Sequence, residues 1–234
     1  MDLDKAQAEY EAEGYAVIPS VFGEEEINLI RRLAYDMLEQ QGAQSYIQRT
    51  AKGNPALLFW PAHMNEYMFK VAHDARMRII VKHFLGDKVR QLNNQIYFRE
   101  SGDGDEFEWH QDICFRTLTT DFVNVEQNYL QTIIAIDEIT EDNGAVQFVP
   151  GSHKLGDLNL VPRNDTEQGL RSHTPNKFKG VPLLAKPGDV AIWSVMSIHG
   201  SQQNLSGRSR MTYMNGFCKD ESLINKKRFP EYGV

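Results

Sequence analysis

Apolar positions recur at helical spacing in the first third of the chain and at strand spacing in the rest. Between Glu24 and Gln41, residues Ile27, Ile30, Ala34, Met37 and Leu38 fall on one face of a 3.6-residue period. Acidic Glu24 to Glu26 suit the first turn and Gly42 follows the last, so the pattern predicts an amphipathic helix. Asp4 to Ala12 is a run of good helix formers stopped by Gly14. Tyr15 to Pro19 reads as a short strand ended by proline, and Arg76 to Leu85 as a helix stopped by Gly86. From Val89 onward the grammar is that of strands: Arg90–Arg99, Glu108–Phe115, Tyr129–Asp137, Ala145–Val149, Val190–Trp193, Ser197–Ser201 and Ser209–Phe217. Turn formers separate them at Gly102-Asp103-Gly104, Asp142-Asn143-Gly144, Pro150-Gly151-Ser152, Pro187-Gly188-Asp189 and Ser206-Gly207.

Many short strands in one stretch predict an antiparallel barrel or sandwich. The chain therefore reads as one domain over 1–234, mainly β with helical support, in which 1–88 is the mostly helical support and 89–234 the β core. Residues 155–185, rich in Pro, Asn, Gly and charge, form a long connection of the kind that serves as a lid or substrate loop.

Composition narrows the function. With 25 Lys and Arg against 32 Asp and Glu, the net charge of −7 argues against a nucleic-acid partner, which needs a basic stripe. Lys226-Lys227-Arg228 reads as a solvated tail. Apolar runs such as Ala56 to Trp60 are too short to span a bilayer. The N-terminus lacks an apolar leader. Two cysteines, Cys114 and Cys218, make no disulfide framework. These features predict a cytoplasmic protein with a small-molecule partner, no membrane and no nucleic acid; oligomeric state is not legible.

The candidate chemistry lies in Trp109-His110-Gln111-Asp112, with His199 and Arg210 further on. On a regular strand His110 and Asp112 point to one side. Two imidazoles and one carboxylate make the facial ligand set of non-haem iron(II) oxygenases, which leaves coordination positions open. The remaining histidines, His63, His73, His83, His153 and His173, have no such setting and read as surface or structural. Strand parity also sends Cys114 and Arg116 towards the cavity if the strand stays regular; if it has ended, the favoured reading, Arg116 is a solvated charge. Phe115 and Trp193 are candidate pocket walls or core, Gln147 faces the site or solvent, and Trp109 faces away. Arg163 and Arg171 in the long loop are candidate anion clamps.

At these residues the chain resembles the phytanoyl-CoA dioxygenase family of Fe(II)/2-oxoglutarate oxygenases. The resemblance rests on Gly14-Tyr15-Ala16-Val17-Ile18, Trp109-His110-Gln111-Asp112, Asn143-Gly144 through Pro150-Gly151-Ser152-His153, Pro187-Gly188-Asp189 and His199-Gly200-Ser201. It implies a double-stranded β-helix, a jelly-roll or cupin-like barrel, with Fe(II) held by His110, Asp112 and His199. O2 and 2-oxoglutarate would be co-substrates. Arg210 would pair with the distal carboxylate of 2-oxoglutarate, with Arg208 as rival and Ser201 as a second contact. Tyr97, or Gln95 at the same parity, would be a further contact. Where many members carry Lys-Pro, this chain has Arg99-Glu100. The carboxylate of Asp112 favours oxygenation over the halogenation of relatives that lack it. The implied reaction is hydroxylation or another oxidation of an unactivated C–H, with release of succinate and CO2. A binding module without turnover and a cupin-like metal hydrolase are the alternatives.

Overall fold

The computed structural model describes residues 1–103, 106–115, 122–158, 160, 178–224 and the backbone of 231–232. Helix α1 (Leu3–Glu13) starts at Asp2, whose carboxylate accepts from the Lys5 N–H at 3.0 Å, and stops at Gly14 in the left-handed region. Strand β1 (Tyr15–Ile18) follows. Helix α2 (Glu24–Leu38) buries the predicted stripe Ile27, Ile30, Ala34, Met37 and Leu38, and the Glu26 side chain accepts from the Gly23 N–H that precedes it. Next come β2 (Ile47–Arg49), β3 (Pro55–Phe59) and the short helices α3 (Pro61–Met64) and α4 (Glu66–Ala72). Helix α5 (Ala75–Leu85) is capped by Asp74.

The β core comprises β4 (Val89–Arg99), β5 (Phe107–His110), β6 (Tyr129–Ala135), β7 (Val146–Phe148), β8 (Val181–Pro182), β9 (Val190–Ser194), β10 (His199–Ser201) and β11 (Arg210–Lys219). A one-turn helix α6 (Val125–Asn128) precedes β6, and β12 (Glu231–Tyr232) pairs with β4. The large sheet has the order β1-β9-β6-β11-β4-β3-β2 and the small one β5-β10-β7-β8, every pairing antiparallel. Two facing antiparallel sheets with this alternating strand traffic are a jelly roll.

Every residue of β6 is buried because its sheet is covered on both faces. Leu130 and Ile134 pack outward with Ile30, Met37, Met68, Ile80 and Val81 of the helical layer. Ile133 and Ala135 point inward with Ala191, Trp193 and Phe148. Burial of each such large side chain contributes about 1.5–3 kcal/mol. The N-terminal part is mostly helical, as expected, but its three strands also extend both edges of the large sheet.

Two sequence expectations change. The strand expected over Glu108–Phe115 ends at His110, and a 3-10 turn occupies Asp112–Phe115. The expected loop over 155–185 gives up its end to β8, which pairs with β7; residues 161–177 lie outside the described residues.

Candidate metal centre and co-substrate pocket

His110 sits at the end of β5 and pairs in register with His199 at the start of β10. The 3-10 turn swings Asp112 back beneath them. The His110 and His199 rings lie 4.1 Å apart, and their Nε2 atoms are 3.5 and 3.6 Å from Asp112 Oδ1. One ligand atom from each residue lies within 4.8 Å of the others. His110 Nδ1 lies 2.8 Å from the Glu108 carbonyl, and His199 Nδ1 2.9 Å from that of Ser197. An Nδ1–H donated to each carbonyl leaves both Nε2 lone pairs facing the centre. Burial, with His110 beside it, pushes His199 down to about 4, so its imidazole is neutral and ready to ligate at pH 7. Burial works against the Asp112 carboxylate. The neighbouring His199 and His110 and the Trp193 indole N–H outweigh it, holding the group well below the usual carboxylate range. This donor set fits a divalent first-row metal with open positions.

Trp193 is more than a wall. It projects inward from β9 and its Nε1–H donates to Asp112 Oδ2 at 2.9 Å. Phe148 stacks on His199 at 5.3 Å and Phe115 meets His110 edge-on at 5.7 Å. Gln111, between the ligands, turns away from the centre. Its amide donates to the Gly156 and Met196 carbonyls at 2.8 and 2.7 Å and accepts from the Leu158 N–H at 2.8 Å.

The turns that punctuate the sequence serve this centre. Ser152 Oγ accepts from the Ile198 N–H, fixing the approach to His199. Gly188 has φ 91°, and a Cβ there would lie 2.1 Å from the Phe22 carbonyl oxygen, so only glycine lets the turn seat against the β1–α2 connection. The Asn143 and Gly144 carbonyls accept from the Arg210 Nε and Nη2 at 3.2 and 2.8 Å.

Arg210 is buried, whereas its rival Arg208 is exposed. Burial and the neighbouring Arg99 push the Arg210 guanidinium down to about 9, a placement that calls for an anion. Arg99 pairs with Arg210 across β4 and β11 and donates to Ser201 Oγ. Sequence reasoning passed over Arg99 as an acting residue; its signal was the inward parity it shares with Tyr97 and Gln95. Those two meet on the same face, the Tyr97 hydroxyl donating to Gln95 Oε1 at 3.3 Å.

Not every candidate converges. Cys114 is carried by the 3-10 turn rather than a strand and is buried there, so strand parity does not set its direction. Trp109 faces away, as expected, against Phe178, and Gln147 shares that outer face beside Gly180. His63 and His73 stack on Trp60 and Phe69, while His83 meets Phe84 edge-on. His153 sits against the Glu11 carbonyl, so these four histidines are structural or superficial. Arg116, Arg163, Arg171 and His173 lie outside the described residues.

Comparison with known proteins agrees with this geometry. An ectoine dioxygenase of Stutzerimonas stutzeri (strain A1501) is 27% identical over 225 residues, covering 88% of this chain and 74% of that one. A probable alpha-ketoglutarate-dependent hypophosphite dioxygenase of Stutzerimonas stutzeri is 27% identical over 230 residues, covering 91% and 77%. The crystal structure of EctD from S. alaskensis with 2-oxoglutarate and 5-hydroxyectoine superposes with a TM-score of 0.78 at 22% identity, covering 95% of this chain and 77% of that one. That likeness supports the jelly-roll fold. The sequence model described as phytanoyl-CoA dioxygenase (PhyH) matches residues 10–212, most of the length, and this chain belongs to that family.

Proposed function

We propose that this Fe(II)/2-oxoglutarate-dependent dioxygenase oxidises an unactivated C–H of a small molecule, with His110, Asp112 and His199 as the iron ligands. The observation that carries the reading is the convergence of these three donors, together with a buried Arg210 paired across the sheet with the half-buried Arg99. Iron bound there supplies the oxidation by O2, coupled to conversion of 2-oxoglutarate into succinate and CO2. Arg210 and Arg99 hold the distal carboxylate of 2-oxoglutarate, since a planar guanidinium matches a carboxylate through parallel hydrogen bonds. Ser201, Tyr97 and Gln95 orient it. Phe148, Phe115 and Trp193 keep water from the centre, and Trp193 fixes the carboxylate that faces the metal.

Relatives named for ectoine and hypophosphite support a small-molecule substrate. The reading places the enzyme in the cytoplasm as one domain. A net charge of −7 speaks against nucleic acid, and among the described residues no helix is long and apolar enough to cross a membrane. The test is His110→Ala, assayed for iron content and for 2-oxoglutarate consumption without added substrate. Both are expected to fall at least tenfold. Unchanged turnover removes the assignment, and zinc-dependent hydrolysis without succinate would favour a hydrolase.

A further inference from the structure

We propose that Asn93, Tyr129 and Gln131, gathered over Gly216, form the substrate-recognising end of this pocket, taking a small molecule that presents an N–H or O–H donor to the Asn93 amide oxygen. The proposal rests on the metal-centre reading above. Register places the cluster. Gly216 of β11 lies between Asn93 of β4 and Gln131 of β6, and Gln131 pairs in turn with Trp193, whose indole holds Asp112. One inward-facing row therefore runs from the cluster to the metal carboxylate.

The three polar heads converge on one point. A Cβ on Gly216 would lie 2.1 Å from the Tyr129 hydroxyl, 2.6 Å from Asn93 Oδ1 and 2.8 Å from Gln131 Oε1. Glycine is what lets them meet. Tyr129 donates to Gln131 Oε1 at 2.7 Å, a firm bond. Asn93 is held only by long ones, its Nδ2 lying 3.4 Å from the Tyr129 hydroxyl and 3.5 Å from Gln131 Oε1. Its Oδ1 is shielded from water and has no hydrogen-bond partner among the described residues. A buried amide oxygen left unpaired is a standing cost that a ligand donor removes. Because its present bonds sit at the outer limit of geometry, the amide can turn to a ligand at little cost. No member of the cluster is charged, so recognition here is by hydrogen bonding, and a site built this way discriminates against analogues that lack the donor.

The experiment uses the iron-loaded protein with 2-oxoglutarate and a panel of small lactams, cyclic amidines and secondary alcohols. Each is paired with its N- or O-methyl counterpart. Substrate-stimulated succinate release is the kinetic readout, and thermal stabilisation by the same pairs reports binding without turnover. The donor-bearing member is expected to exceed its methylated partner by about tenfold or more in kcat/KM, carried by KM. Asn93→Leu should bring that ratio close to one, a change that a merely structural role would not produce. Equal use of both members by the wild type, or a ratio retained in Asn93→Leu, overturns the proposal while leaving the metal centre intact. So does a panel that never raises succinate above the substrate-free rate. A protein that binds no iron and consumes no 2-oxoglutarate overturns both readings.

Discussion

Trp193→Phe isolates what the indole N–H does for the metal carboxylate. Asp112 presents Oδ1 to both imidazoles at 3.5 and 3.6 Å, and its Oδ2 accepts from Trp193 at 2.9 Å. A hydrogen bond to a charged group is worth about 1.5–3 kcal/mol. Its loss frees the carboxylate to rotate away from the bidding of the metal. At roughly 1.4 kcal/mol per decade, the metal dissociation constant should rise about 10- to 150-fold. The smaller ring also leaves space at a position only 1% exposed, which lowers stability of the metal-free protein by about 1–3 kcal/mol. The two effects separate experimentally. Anaerobic titration of the metal-free protein with iron(II), and with manganese(II) as a redox-inert check, gives the affinity; thermal unfolding without metal gives the packing loss. An affinity within twofold of wild type, alongside lowered stability, would refute the reasoning and reduce Trp193 to core.

Arg99→Gln should raise the KM for 2-oxoglutarate about tenfold with a smaller change in kcat, measured by succinate release at saturating substrate; an unchanged KM removes Arg99 from the co-substrate pocket. Gly188→Ala combines a positive φ with a Cβ placed 2.1 Å from the Phe22 carbonyl oxygen and should cost about 3 kcal/mol or more, read by denaturant unfolding. Arg76 donates in pairs to Glu26 and to Asp74, and also to the Val21 carbonyl, tying α2, α5 and the β1–α2 connection. Arg76→Met should lower Tm by about 2–8 °C, a loss of roughly 1–2 kcal/mol after allowance for solvent at these partly exposed groups. Hydrogen bonds from Arg76 hold both carboxyls below their ordinary values. That contribution is present above the unfolded carboxylate range and is lost as pH falls through the lowered values, so the wild-type advantage over Arg76→Met should shrink in acid; an advantage constant from pH 7 to pH 3 contradicts the pairing.

Periodic elements were legible because their identity is carried by residues close together in the chain. The stripe of α2 and the strands β4 and β11 fall where their patterns place them. Strands β2 and β3 were not, since Pro55 to Phe59 take their identity from pairing with β4, and Ile47 to Arg49 from pairing with β3, rather than from alternation. The three candidate ligands do come together, but the parity argument that grouped two of them fails locally. Asp112 reaches the centre because the chain leaves the strand, not because it continues it, and the same turn removes Cys114 from the strand's parity. The indole–carboxylate bond and the Arg99–Arg210 pair join residues 81 and 111 positions apart. No local pattern encodes such contacts: the first exists only once the two sheets face each other, the second only once β4 and β11 pair.

The outward amide of Gln111 has a mechanical consequence. It stitches the segment between two candidate ligands to the chain at Gly156 and Leu158, where the long connection leaves the barrel, and to Met196 on the approach to His199. Coordination geometry and the root of that connection are therefore one rigid piece. A shift of the root at Gly156 and Leu158 is therefore transmitted to the segment that carries His110 and Asp112. Graft boundaries placed after the stitch, rather than before it, preserve the centre.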